Sequence, residues 1–333
     1  TYLPKNALYG EASKALGLIA EDNKELFDRT FDTLCLDKTC VTLWQDNVEI
    51  VMLSKYYYYE NSIAQKLTWL KNASKSEKFD IDEDIDAFQL RNKIKLHEEQ
   101  INAIKGAVNN GVFVITGGPG TGKTTIIKCI LEIFENMQKK VALVAPTGRA
   151  SKRMSDSTKH EAKTIHRLLE VNVIKSSESY FLHNETNPLN VDVVIVDEVS
   201  MVDCALMCNL LKALPRDCKL VLVGDKDQLP SVGPGNVLAD ILGSGVIPFC
   251  MLTKIFRQGE KSLIITNAHL INEGKMPLID NSSMDFFFES KGDPESIKDT
   301  IINLVTYRLP KFLNVEPKDI QVLAPLKQGV CGI

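Results

Sequence analysis

Long apolar runs are missing from this sequence: none approaches the ~18 residues that a membrane-spanning helix needs, so a membrane protein is not expected. The opening TYLPKNALYGEASK lacks the basic start and apolar core of a secretion signal. It begins with Thr rather than Met, and the sequence is therefore read as a fragment or a processed chain. An excess of positive charge is missing too. Lys and Arg number 39 against 43 Asp and Glu, a net charge of −4, which alone gives no reason to invoke nucleic acid. It leaves room for a narrow channel that meets phosphates through backbone N–H groups and a few side chains. The eight cysteines (35, 40, 129, 204, 208, 218, 250, 331) contain no C-x-x-C pair. The histidines at 97, 160, 166, 183 and 269 form no zinc-spaced cluster with them. Cys204 and Cys208 lie four apart on an expected helix and are read as buried or surface thiols of a reducing cytosol.

What is present is the composition of a soluble globular protein, 44% hydrophobic and 25% charged, with length for two or three domains. Residues 1–90 read as helix, hairpin, helix. EDNKELFDRTFDTLCL is helical, TCVTLWQDNVEIVML alternates about an Asp46-Asn47 turn, and SKYYYYENSIAQKLTWLKNAS reads as a helix capped by Ser54. This predicts a small winged-helix-like α+β module. Its four tyrosines are read as part of a packing helix rather than as a base-stacking platform, and the acidic stretch 80–86 as a linker. Beyond Lys95 the rhythm changes. VFVIT (112–116), VALVA (141–145), VVIVD (193–197), KLVLV (219–223) and IQVLA (320–324) read as strands buried on both faces, alternating with helices. The expectation is an α/β doubly wound parallel sheet with ligands at the strands' carboxyl ends.

The first of these strands empties into TGGPGTGKTT, where Gly117 to Thr124 fits G-x-x-x-x-G-K-[ST]. The glycines let the backbone curl so that N–H groups face phosphate oxygens, and the helix that follows adds a partial positive charge. Gly117, Gly118, Pro119, Gly120, Thr121, Gly122, Lys123, Thr124 and Thr125 are the expected nucleotide loop. Lys123 would reach the β- and γ-phosphates, and the Thr124 hydroxyl would bind Mg²⁺. Asp197 and Glu198, at the end of VVIVD, supply the acidic pair that hydrolysis needs: one carboxylate for the cation and one to polarise the attacking water. These motifs specify a P-loop NTPase and leave its class open.

The ordered set GGPGTGKTT, APTGRASKRM, KTIHRLL, IVDEVSMVD, VGDKDQLPSVGPG and LTKIFRQ resembles the RecD-like branch of superfamily 1 DNA helicases, which includes the exodeoxyribonuclease V alpha subunit. The resemblance covers residues 96–333 and weakens before them. It implies a RecA-like first motor domain over 91–256, with a β-hairpin pin near 170–184, and the start of a second RecA-like domain over 257–333. It also implies ATP and Mg²⁺, single-stranded DNA and a duplex fork as partners, movement 5′ to 3′, and a cytoplasmic, nucleoid-associated location. Other nuclease-complex subunits or a single-strand-binding protein are further expected partners.

Residue by residue, Gln100 falls where the family reads adenine, the alternative being an exposed helix glutamine. Pro146, Thr147 and Arg149 fall where it touches the single strand, which suits a strand-end loop rich in donors. Thr164 and His166 fall in a second such segment, with His166 equally readable as a packed core histidine. Gln228 matches a glutamine that contacts the γ-phosphate, and Arg257 an arginine donated to the same phosphate, the alternative being a surface ion pair. Lys327, in PLKQG, matches a further segment. The sequence stops before two later motifs of the branch, so this stretch alone is expected to bind nucleotide without unwinding. Two other readings stand beside the helicase: a motor subunit of a nuclease complex, and a nucleotide-gated DNA-binding module with weak ATPase.

Overall fold

The alternating runs Cys40–Gln45 (β2) and Val48–Leu53 (β3) pair as an antiparallel hairpin. Asp46 and Asn47 close it with φ of 49° and 63°, the left-handed pair that a two-residue type I′ turn demands. Leu3–Pro4 (β1) adds to β3 as a third strand. The helices Lys5–Leu16 (α1) and Lys24–Leu36 (α2) enclose a small core of Phe31, Cys40 and Val51. The molecule, a computed structural model, describes residues 2–19, 22–73, 78–173, 179–254, 256, 262–281 and 283–332. They fall into two compact units, 1–258 and 259–333.

Helix Ser54–Ala73 (α3) carries Ile63, Leu67 and Leu70 at helical spacing, and this stripe joins the main core. Its tyrosines divide: Tyr59 packs against that core, whereas Tyr58 is half exposed with the Lys212 ammonium 4.7 Å from its ring centre. The expected Ser54 cap is not made. The Ser54 hydroxyl is buried without a partner, and the helix start is tied instead by its N–H to Thr39 O. The acidic stretch expected to be a linker is also structured. Asp82–Asn92 (α4) is a helix whose charges face solvent, while Ile81, Ile85 and Phe88, spaced i, i+4, i+7, are buried. Net acidity concealed an apolar stripe.

Then Glu98–Asn109 (α5) leads to Val112–Gly117 (β4), Lys123–Asn136 (α6), Val141–Ala145 (β5), Gly148–Thr158 (α7) and Ala162–Thr164 (β6). After the short helix Ile165–Leu168 (α8), Val171–Val173 (β7) and Ser179–Phe181 (β8) pair antiparallel. These are the strands expected of the hairpin, and its tip at 174–178 lies outside the described residues. Val193–Val196 (β9), Cys204–Ala213 (α9), Lys219–Gly224 (β10), Val237–Ser244 (α10) and Phe249–Leu252 (β11) complete the unit.

The six longer-range strands form one sheet in the order β11-β4-β10-β9-β5-β6, parallel throughout. Alternation distributes the side chains. Val112, Val114, Val194, Val196, Leu220 and Leu222 meet α3 and α9 on one face. Phe113, Ile115, Val193, Ile195, Val221 and Val223 meet α4, α5 and α6 on the other. Burial on both faces is why these strands read as unbroken apolar runs. The fold is α/β and RecA-like, with a small antiparallel α+β region before it.

In the second unit, Leu263–Asn272 (α11), Pro294–Asn303 (α12) and Leu309–Leu313 (α13) are helical. The expected strand at 320–324 is absent: the segment is irregular, with Val322 45% and Leu323 84% exposed. A parallel strand needs neighbours to satisfy its backbone, and this unit has no other strand among its described residues. No helix among the described residues is long and apolar enough to cross a membrane.

Candidate nucleotide and DNA site

The carboxyl ends of β4, β10, β9, β5 and β6 lie side by side in that order, and the motifs lie along this edge. At the first end, the loop after Gly117 turns into α6 through Gly122, whose φ of 85° suits glycine. A Cβ there would also sit 2.3 Å from Gln100 Nε2. Gly122 gives α6 no side-chain cap, so the first N–H groups of the helix stay available to an anion. Lys123 Nζ donates to Gly117 O and Gly118 O, Thr121 Oγ1 donates to Gly118 O at 2.9 Å, and Thr124 is exposed. Burial holds the Lys123 ammonium below its usual pKa, against the opposing pull of Asp225, Glu198 and Asp197.

Gln100 is buried, not an exposed helix residue. Its Oε1 accepts from His97 N at 3.0 Å in a capping box, and its Nε2 donates to Thr121 O at 3.2 Å. It braces the nucleotide loop from behind. The neighbouring Glu99 carboxylate accepts from Thr253 N (2.8 Å), Thr253 Oγ1 (2.6 Å) and Lys254 N (3.3 Å), bonds that hold it below the usual carboxylate range. Phe256 then donates its N–H to Gly120 O, and its ring lies 5.9 Å from that of His97. Arg257 lies outside the described residues.

Asp197 follows β9 and is 6% exposed, its Oδ1 accepting from Glu198 N at 2.9 Å. Burial raises its carboxyl above the usual range, and the Glu198 charge adds to the rise. Glu198 takes a left-handed backbone, φ 53°, and pairs with Arg153 Nη2 at 2.5 Å. Asp225, at the end of β10, is equally buried and accepts from Asp227 N. The turn continues with Gln228 N donating to Asp225 O at 3.2 Å, which leaves the Gln228 side chain exposed. Beyond it the chain is pinned to α9. Cys204 N donates to Pro234 O at 3.1 Å, and a Cβ on Gly233 would meet Asp203 Oδ2 at 2.0 Å.

At the end of β5, Pro146 is half-buried and Thr147 caps α7, accepting from Ala150 N at 3.2 Å; Arg149 is exposed one residue into the helix. At the end of β6, Thr164 caps α8 in the same way. Both hydroxyls can still donate to a phosphate. His166 is exposed beside Phe181, ring centres 5.9 Å apart, so the core-histidine alternative fails. Cys204 and Cys208 are buried, and burial pushes the Cys204 thiol up to about 11, as expected of inert packed thiols.

Asp225, Arg153, Glu99 and the His97–Phe256 pair escaped the sequence reading. A signal existed for two of them: Asp225 directly follows a buried strand, and Arg153 lies one helical turn beyond Arg149.

A family model described as an AAA domain matches residues 100–234, from Gln100 through the Gln228 turn. The ATP-dependent RecD2 DNA helicase of Deinococcus radiodurans is 35% identical over 239 residues, covering 72% of this chain and 31% of that protein. The RecBCD enzyme subunit RecD of Mycolicibacterium smegmatis is 40% identical over 168 residues, 44% of this chain and 30% of the subunit. That of Haemophilus influenzae is 36% identical over 163 residues, 42% and 25% of the respective lengths. The chain thus spans between a quarter and a third of the length of these three relatives. By this likeness and its RecA-like sheet, the chain is similar to the RecD-like superfamily 1 helicases over the part it shares with them.

Proposed function

We propose that the chain carries the ATP-hydrolysing part of a motor that moves 5′ to 3′ on single-stranded DNA and opens a duplex fork. One observation carries this reading: Lys123, Asp225 and Asp197 stand at three neighbouring strand ends, and Thr147 and Thr164 continue the same edge. Nucleotide and DNA would share one sheet edge. ATP phosphates would lie on the N–H groups of 118–124, with Lys123 exchanging its carbonyl partners for phosphate oxygens and Gln100 supporting the loop on the base side.

Thr124 and Asp197 would hold Mg²⁺. No group of three or more His, Cys, Asp or Glu among the described residues forms a metal cage, and a hydroxyl and a buried carboxylate suit a hard cation shared with phosphates. When bound, the cation neutralises charge on the phosphate oxygens. Glu198 would polarise the attacking water, Gln228 would report the γ-phosphate to the DNA side, and Arg257 would stabilise charge on the transferring group. Pro146, Thr147, Arg149, Thr164 and His166 would track the strand, with the hairpin 170–184 as a pin at the fork. The domains in this reading are a winged-helix-like 1–90, a motor 91–256 and the start of a second motor from 257, in a protein of the cytoplasm and nucleoid.

A second reading has support of its own, because two of the relatives above are named as subunits of an enzyme complex. There the chain would work as a motor beside nuclease subunits. Displacement of streptavidin from end-biotinylated oligonucleotides tests the first reading in the full-length chain. ATP-dependent displacement from the 3′ end by the protein alone is expected. Displacement from the 5′ end alone would reverse the polarity, and activity only on adding partner subunits would favour the second reading.

A further inference from the structure

The Glu198 side chain is only half satisfied. One carboxylate oxygen accepts from Arg153 Nη2 at 2.5 Å, and the other is buried with no hydrogen-bond partner. The two partners differ in exposure: the side chain of Glu198 is 14% exposed and that of Arg153 67%. A partly buried carboxylate with one lone partner depends on it. An exposed guanidinium, by contrast, is open to a competing anion, and its planar fork fits phosphate as well as carboxylate.

Arg153 lies on α7, whose first turn starts at the Thr147 cap. Arg149 and Arg153 are four residues apart, so they share one helix face, with Cβ atoms about 5–6 Å from each other. A strand phosphate drawn to the 146–149 loop therefore arrives within a helical turn of the cation that restrains Glu198.

We propose that Arg153 is a DNA-responsive positioning residue: it holds the Glu198 carboxylate while the loop is free, and releases it when a single-strand phosphate takes the guanidinium. Held, Glu198 has one oxygen occupied by the guanidinium and closed to a water. Released, it is free to polarise water. This route from DNA to hydrolysis leaves from the β5 end and is separate from the Gln228 turn. It rests on the reading of Glu198 given above.

The test is steady-state ATPase of full-length Arg153→Ala and Arg153→Lys proteins, across a single-stranded DNA titration and a salt series. Arg153→Ala should raise the DNA-free rate about fivefold, the scale of one partly exposed ion pair, with the DNA-saturated rate close to wild type. The ratio of stimulation falls accordingly, and the slope of log Kd against log salt loses about one phosphate contact. Arg153→Lys, which keeps charge without the fork, should give an intermediate ratio, and it decides the matter if the alanine variant fails to fold. A wild-type ratio in the folded variant overturns the proposal. So does a fall caused only by a lower DNA-saturated rate, which would make Arg153 part of the chemistry. Absence of Lys123-dependent hydrolysis in the wild type would instead sink the functional reading and this inference with it.

Discussion

Replacing Gly122 by Ala is expected to damage the nucleotide loop through two separable effects. The first is backbone strain: φ of 85° lies in the left-handed region, where a Cβ costs about 1–2 kcal/mol. The second is collision, since the added carbon would stand 2.3 Å from Gln100 Nε2. Gln100 would have to give up its bond to Thr121 O and its part in the α5 capping box, a loss of about 1–2 kcal/mol. The total is about 2–4 kcal/mol. For a unit of this size that lowers Tm by roughly 5–15 °C. Urea melts of wild type, Gly122→Ala, Gln100→Ala and the double variant measure both parts. In the Gln100→Ala background the glycine substitution should cost only the strain, leaving a coupling of about 1 kcal/mol or more. Additive costs would show that Gln100 does not brace the loop, and a total below about 0.5 kcal/mol would refute the strain argument as well.

Asp197→Asn should abolish hydrolysis yet stabilise the nucleotide-free protein by about 1 kcal/mol at pH 8. Burial raises the folded pKa of Asp197 above its unfolded value, so its contribution is fully present below the unfolded pKa and is lost as pH rises through the folded one; the gain on substitution should vanish near pH 3.5, and a gain independent of pH in chemical melts would contradict this. Phe88→Ala should cost about 3–5 kcal/mol, because Phe88 is 3% exposed in the main unit; a cost under about 1 kcal/mol would restore the linker reading of this stretch. Gln228→Ala should keep nucleotide affinity while losing most of the DNA stimulation of ATPase, and wild-type stimulation would remove its proposed role.

The parallel sheet was readable because strands buried on both faces are apolar almost throughout, as VFVIT and KLVLV are. The nucleotide loop was readable because its backbone shape admits few sequences. Edge strand β11 was not: its apolar run is only four residues, FCML, without a β-branched side chain, and as an edge strand it leaves Phe249 45% and Met251 41% exposed. Helix α4 was hidden for the opposite reason, the five acidic residues of 80–86 masking apolar Ile81, Ile85 and Phe88, whose spacing only a helical count reveals. IQVLA misled because a short apolar run specifies a strand only where neighbouring strands exist to receive it. The partnership of Arg153 with Glu198 joins residues 45 apart in sequence and has no local signature.

The central claim is that one sheet edge hydrolyses ATP in response to single-stranded DNA. Steady-state ATPase of the full-length chain, with and without a saturating oligonucleotide and alongside Lys123→Ala, tests it most directly. Hydrolysis that rises at least about tenfold with DNA, a difference of about 1.4 kcal/mol in the barrier, and disappears in Lys123→Ala is the result this account requires. Hydrolysis indifferent to DNA, or surviving the loss of Lys123, would contradict it.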